Sequence, residues 1–171
     1  MSTDVNGDRI NAMTLVRRSL SIVLTAVVVI GATWFFVFYD SHAMARIPLK
    51  INDVEIRVEV ARTEEERSVG LGGRESLGEN KGMLFVFDKE SFYVFWMKDM
   101  LFPIDIIWIN RDKKIVDVIT NLQMETYPDF KYINDFFAQY VLEVNAGFFD
   151  AHGLKLGDTV EFELEEAGTQ D

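Results

Sequence analysis

Ser19 to Tyr39 (SLSIVLTAVVVIGATWFFVFY) runs for 21 residues without a charged side chain. That is about the length an α-helix needs to cross the hydrocarbon core of a bilayer. No polar face interrupts the run, which argues against a half-buried helix of a soluble domain. Arg17 and Arg18 abut its start and Asp40 its end, so the positive-inside bias keeps residues 1–18 in the cytoplasm and exports the chain beyond Tyr39. The reading is a single transmembrane anchor over 19–39, a linker over 40–46, an exported domain over 47–165 and a short tail over 166–171. A cleaved signal peptide is the alternative, because Ser41-His42-Ala43 has the small-x-small form of a cleavage site, although the apolar run exceeds the usual h-region. In both cases the domain works outside the cytoplasm, in the periplasm or the extracellular space.

Charge narrows the partners of that domain. From Ile47 onward it carries 13 cations against 25 anions, the opposite of the basic face that nucleic acid requires. The chain has no cysteine, which removes disulfides, thiolate zinc sites and thiol catalysis. With one histidine beyond the linker, His152, a transition-metal site is not expected, and no cofactor is implied. His152 could serve as a general base, but it precedes Gly153, where a cation near a helix C-terminus is favourable for the fold alone.

The exported part is patterned for strands. In "VEIRVEVA" (54–61) Val54, Ile56, Val58 and Val60 alternate with Glu55, Arg57 and Glu59, the period-2 signature of a half-buried strand. Thr63 and Glu66 have capping-box spacing, which predicts a short helix ending at Gly70, followed by a glycine-rich turn region through Gly82. Further strands are predicted over 83–87, 92–97, 104–109, 114–120, 140–145 and 159–164, with a hairpin turn at Asn110 to Lys113. "GFFDAHG" reads as one helical turn capped by Gly153, and Gly157-Asp158 as a tight turn. The expected fold is mainly β, a β-rich α+β domain: a compact antiparallel barrel or sandwich of about seven strands with two short helices.

Three stretches taken in order carry a resemblance: "ARTEEERSVGLGGRESLGENKGMLFVF", "FWMKDMLFPIDIIWINRDKKIVDV" and "YVLEVNAGFFDAHGLKLGDTVEF". Together they resemble the domain of unknown function family 192, small exported or membrane-tethered proteins, over nearly all of Val54 to Leu164. The resemblance implies a compact β-rich domain behind a signal or anchor segment and brings no established activity, cofactor or catalytic residue. This chain departs from the family pattern at Asp99-Met100, where asparagine-threonine is common. It departs again in residues 124–139, which are bulkier and more aromatic.

"FWMKDMLFPIDIIWIN" (95–110) sets charge inside an apolar run. Alternation over 104–109 puts Asp105 with Ile107 and Ile109, and Ile104, Ile106 and Trp108 on the other face, so both faces are apolar and the carboxylate is buried at least in part. A buried carboxylate needs a partner or stays protonated. Lys98 and Arg74 are the nearest motif cations, and Pro103 forces a break that would fold 92–97 back beside 104–109. The candidate ligand-binding set is Trp96 as a stacking surface with Lys98, Asp99, Asp105 and Arg74 as orienting groups, joined by Glu143 of "YVLEV". The structural alternative makes Asp105 a salt-bridged or backbone-bonded strut and Glu143 part of a solvated strand face. Tyr127, Phe130, Tyr132, Ile133, Phe136 and Phe137 form an aromatic stripe, expected on a helix started by Pro128 and packed into the core. If exposed, it would be a partner surface.

These residues support a non-catalytic module that binds a small ligand or peptide, tethered to the membrane by its N-terminal helix. An envelope assembly protein using the 124–139 segment is the alternative. A hydrolase using Asp99, Asp105 or Glu143 is a second alternative, weakened by the absence of a nucleophile motif such as GxSxG.

Overall fold

The computed structural model describes residues 25–31, 33, 44–126 and 131–164. The chain divides into two units, Met1–Ala43 and Met44–Asp171. In the first, residues 25–31 and 33 are helical and exposed. The rest of the expected 19–39 span lies outside the described residues, as do residues 40–43 and the tail from 165. Among the described residues no helix is long and apolar enough to cross a membrane.

The second unit is mainly β, with β1 (Arg46–Ile51), β2 (Val54–Ala61), β3 (Lys81–Ser91), β4 (Val94–Phe95), β5 (Ile104–Ile109), β6 (Ile115–Leu122), β7 (Tyr132–Ile133), β8 (Ala138–Asn145) and β9 (Val160–Phe162). Two short helices join them, α1 (Glu64–Val69) and α2 (Phe148–Ala151). Seven strands make one sheet in the order β6-β5-β8-β3-β2-β1-β9, and β4 and β7 pair separately.

Local sequence explains the joints. Asn52, at φ 53°, takes the left-handed conformation that the tight β1–β2 hairpin requires. Thr63 and Glu66 form the expected capping box, with the Glu66 amide donating to Thr63 Oγ1 at 3.1 Å and the Thr63 amide donating to Glu66 Oε2 at 2.8 Å. At Asn110 to Lys113 the expected hairpin closes β5 on β6, with the Lys113 amide donating to the Asn110 carbonyl at 3.0 Å.

Two expectations are corrected. The sheet is not wholly antiparallel, because β2 and β3 run parallel, with Val58 opposite Gly82 and Val60 opposite Leu84. A parallel pair needs a crossover, and residues 62–80, with α1 inside them, supply it. Nor does the 92–97 segment fold beside β5. Both hydrogen-bonding edges of β5 are taken, by β6 and β8, so β4 lies on the face of the sheet instead. There Phe95 meets Phe85 and Trp108 edge-on, at ring distances of 5.1 and 6.1 Å.

The sheet curls into a half-barrel. Its two edge strands meet at one end, where Lys114 and Thr159 form an isolated bridge and the Val160 amide donates to the Lys113 carbonyl at 2.8 Å. One buried cluster draws on all seven strands, including Leu49, Val58, Leu84, Ile107, Ile115, Leu142 and Phe162, and therefore lies inside the curl. A second cluster covers the opposite face, where Leu71, Phe95, Met97 and Met100 pack down on Met83, Phe85, Ile106, Trp108 and Val141. β5 is accordingly buried at every position.

Gly82 sits at the tightest point of this packing: a Cβ there would stand 2.9 Å from the Glu143 carbonyl oxygen and 3.1 Å from Val144 Cγ1. We expect Gly82→Ala to cost about 1–3 kcal/mol through overpacking of a rigid strand pair, read as a lower midpoint of denaturant unfolding with an unchanged slope.

Candidate functional site

Asp105 is fully buried on the inner face of the curl, opposite Val144. Its Oδ1 accepts the amides of Asn121 at 2.7 Å and Gly147 at 2.9 Å, and its Oδ2 accepts the amide of Phe149 at 2.9 Å. Neither Lys98 nor Arg74 is its partner. The reason lies in two backbone irregularities. β6 bulges here, since Ile104 pairs with Leu122 and Ile106 with Ile119, and Asn121 takes φ 53°. Helix α2 begins at Gly147, whose lack of a side chain leaves the first amides uncapped from within. Asp105 supplies the missing acceptor from the neighbouring strand, so its carboxylate is a strut of the fold. Asp105→Ala would leave three amides without their acceptor, that of Phe149 fully buried and those of Asn121 and Gly147 partly so. The expected loss is on the order of 3–5 kcal/mol, measured by denaturant unfolding, with Asp105→Asn intermediate because an amide side chain retains one acceptor.

The opposite face holds a pocket of about 290 Å³. Its back wall is apolar: Leu71, Phe85, Phe95 and Met100. The C-terminal turn of α1 and the Gly70 to Gly72 loop form one side, and Val94, Trp96 and Lys98 the other. This geometry rests on close backbone contact between two sequence motifs. Gly72 lies against the Lys98 carbonyl, where a Cβ would come within 3.3 Å, and the Gly73 amide donates to the Asp99 carbonyl at 2.7 Å. Arg67, at the pocket edge, is committed: it donates to the carbonyls of Arg62 and Val86 and lies 4.9 Å over the Phe87 ring. Lys98 forms no ion pair among the described residues and is exposed. Trp96 is 40% exposed, with the Lys131 ammonium 5.7 Å from its ring centre.

Glu143 closes the pocket from below. It stands on β8 between Met83 of β3 and Ile106 of β5. It is buried rather than part of a solvated strand face, because both neighbouring strands and the α1 crossover cover it. Its Oε2 has no hydrogen-bond partner. Burial pushes its carboxyl up to about 8, partly opposed by the positive charge of Arg74. At neutral pH the group is therefore a carboxylic acid, with one O–H to donate and one C=O to accept. Trp108 Nε1 is a second buried polar atom without a partner. It lies on the same face, one diagonal step away, because Trp108 opposes Val141 where Ile106 opposes Glu143.

Of the six residues proposed from sequence, the structure brings Trp96, Lys98 and Glu143 to one pocket. Arg74 stands behind it, its guanidinium 2.7 Å from Glu59 Oε2. Asp99 faces solvent in the turn at φ 58°, a conformation that asparagine and aspartate enter more readily than other non-glycine residues. Its departure from the family's asparagine therefore leaves the turn intact. Asp105 and Glu143 point to opposite faces of the sheet and cannot flank one scissile bond as a glycosidase pair does. Sequence reasoning missed Glu64, Arg67, Ser68 and Leu71 as lining residues. The signal available was the capped helix running into "GLGG", which fixes where α1 stops.

The aromatic segment departs from expectation as well. Residues 132–133 are strand rather than helix, and Ile133, Phe136 and Phe137 are exposed rather than core. Phe137 packs on Phe92 at 4.7 Å. Tyr127, Pro128 and Phe130 lie outside the described residues.

The raised Glu143 pKa fixes the sign of a pH effect. Between the ordinary carboxyl value of 4.5 and about 8 the unfolded chain gives up a proton that the folded chain keeps, so this group's contribution to stability falls as pH rises across that window. Glu143→Gln should flatten that part of the stability–pH curve and melt higher than the parent at the alkaline end, as followed by thermal unfolding at stepped pH.

Residues 47–162 match the profile of DUF192, described as an uncharacterized ACR. A solved structure from Sinorhizobium meliloti 1021, provisionally assigned as a transcription regulator, superposes with a TM-score of 0.66 at 26% identity, covering 70% of this chain and 95% of that one. A protein of unknown function from Novosphingobium aromaticivorans DSM 12444 superposes with a TM-score of 0.65 at 29% identity, covering 70% and 87%. The chain has no match among curated proteins. The matched span takes in every strand from β2 to β9 and both walls of the Glu143 pocket, and the chain belongs to the DUF192 family.

Proposed function

We propose that this protein is a non-catalytic binding module, held outside the cytoplasm by its N-terminal apolar segment, whose pocket above Glu143 takes a small ligand or the end of a peptide. The observation that carries the reading is the unpartnered Glu143 carboxyl at the pocket floor. A buried polar group without a partner costs stability, and a ligand that pairs with it recovers that cost on binding. Apolar walls with a few convergent polar groups are what small-molecule sites present. Here the neutral acid supplies the donor, Trp96 a flat surface and Lys98 a free cation at the rim. A ligand with a flat or apolar body and a carbonyl or carboxylate end matches that arrangement. The membrane tether rests on the 21 uncharged residues from Ser19 and on the Arg17-Arg18 pair before them.

A thermal-shift screen of sugars, short peptides and small carboxylic acids tests the reading. A true ligand raises the melting temperature saturably in the parent, binds at least about tenfold more weakly to Trp96→Ala and Glu143→Leu, and is indifferent to Asp99→Asn. A panel without a saturable hit, or hits insensitive to both pocket variants, would sink the assignment.

One observation favours a second reading, an envelope assembly protein: Ile133, Phe136 and Phe137 expose more than half of their surface beside the exposed Phe92 and Val94. A specific crosslink formed in intact membranes and lost in Phe136→Ser/Phe137→Ser would support it. Crosslinks that survive the double variant would discard it.

A further inference from the structure

A second cleft, of about 350 Å³, lies beside the β2–β3 ladder and carries the opposite charge from the rest of the domain. Arg46, Arg57, Arg74 and Lys81 line it against one carboxylate, Glu59, in a domain whose anions otherwise outnumber its cations by about two to one. Glu59 is already spent. It receives Arg74 at 2.7 Å and Arg46 at 3.1 Å, and the Arg74 hydrogen bond, with help from Arg46, holds its carboxyl below the ordinary value. That leaves Arg57 and Lys81, whose charged ends make no ion pair or hydrogen bond among the described residues. Glu55 and Glu79 border the same two cations on the outer side without pairing with either.

The two free cations are directly opposite one another in the parallel register, Arg57 against Lys81. Like charges at that position oppose folding, so the arrangement weakens the fold unless an anion joins it. The cleft is also built. Gly78 leaves room for the Lys81 stem to cross it, since a Cβ there would stand 3.2 Å from Lys81 Cδ and Cε. Asn145 Nδ2 holds the wall in place by donating to the carbonyls of Leu77 at 3.1 Å and Gly78 at 3.3 Å. The lining sets three guanidinium groups and an ammonium against one carboxylate, with Glu55 and Glu79 outside it, and so suits a tetrahedral oxyanion, which guanidinium forks grip bidentately.

We propose that this cleft binds a phosphate group through Arg57 and Lys81, with Arg74 and Arg46 as flanking charges. The phosphate is carried either by a soluble phosphate compound or by a phospholipid headgroup. The cleft shares no lining residue with the Glu143 pocket, and Arg74 is the one charge of the cleft that also acts on Glu143.

The experiment uses the full-length protein at constant ionic strength. Thermal unfolding is followed with inorganic phosphate and pyrophosphate against chloride, and binding is measured to phosphatidylcholine vesicles with and without phosphatidic acid. The expected result is a saturable stabilisation by a soluble phosphate, or added retention on the phosphatidic acid vesicles over phosphatidylcholine alone. Either effect should weaken at least about tenfold in Arg57→Gln and in Lys81→Gln, the loss of one charge-assisted hydrogen bond. In phosphate-free buffer both variants should melt no lower than the parent, because each removes the like-charge pair. Glu143→Leu should leave the response unchanged, which separates this site from the other pocket. Response to the soluble anions identifies a phosphate compound, and response to the vesicles alone identifies a headgroup. No response in either arm, or a response that both charge variants retain, overturns the proposal.

Discussion

A single buried carboxylate fixes the geometry on which the rest of this domain is built. Asp105 reaches from β5, the neighbour of the edge strand β6, to the β6 bulge and to the start of α2, binding three amides that no other side chain satisfies. Without that acceptor the bulge would lose its hydrogen bond and the β8–α2 turn would bury the unpaired Phe149 N–H, a cost the backbone avoids in almost every folded protein. The bulge lies at one end of β6, and at the other end Lys114 meets Thr159, where the curl closes. Three converging amide dipoles also explain why a carboxylate is tolerated in a site with no cation.

Glu143 is the counter-case within the same ladder. It is buried almost as deeply as Asp105 but faces the outer cluster, where hydrophobic side chains surround it and no amide points at it. One carboxyl group is saturated with donors; the other is protonated and wanting. The sheet separates the two, so the inner face carries the architecture and the outer face, under the α1 crossover, carries the unsatisfied polar group.

How far this was legible in the sequence depends on the range of each interaction. Capping of α1 depends on residues three apart, the Asn110 to Lys113 hairpin on four consecutive ones, and the alternation of Val54 to Ala61 on a single strand; all of these are local and are read correctly. The partners of Asp105 lie 16, 42 and 44 residues away, and alternation predicts its burial without predicting what it touches. The β2–β3 parallel pairing is not legible for the same reason, because a short helix between two strands does not declare which strands will be neighbours in the sheet. The burial of Glu143 is not legible, because a charged residue in a strand is usually at a solvated face, and only the position of β8 between β3 and β5 shows otherwise. Trp96, Lys98 and Glu143 are legible as candidates, whereas their convergence depends on Gly72 meeting Lys98.

Curling the sheet until its ends touch has a consequence for how this domain behaves at high local concentration. An open sheet of seven strands presents two rows of unpaired amides and carbonyls to any neighbouring copy. Here one edge strand, β9, is only three residues long, and the stitch between Lys114 and Thr159 occupies part of both edges. The Lys113 ammonium donates to the Phe162 carbonyl and lies 4.4 Å over that residue's ring, capping the short edge with charge. Closure thus doubles as protection against strand-to-strand aggregation.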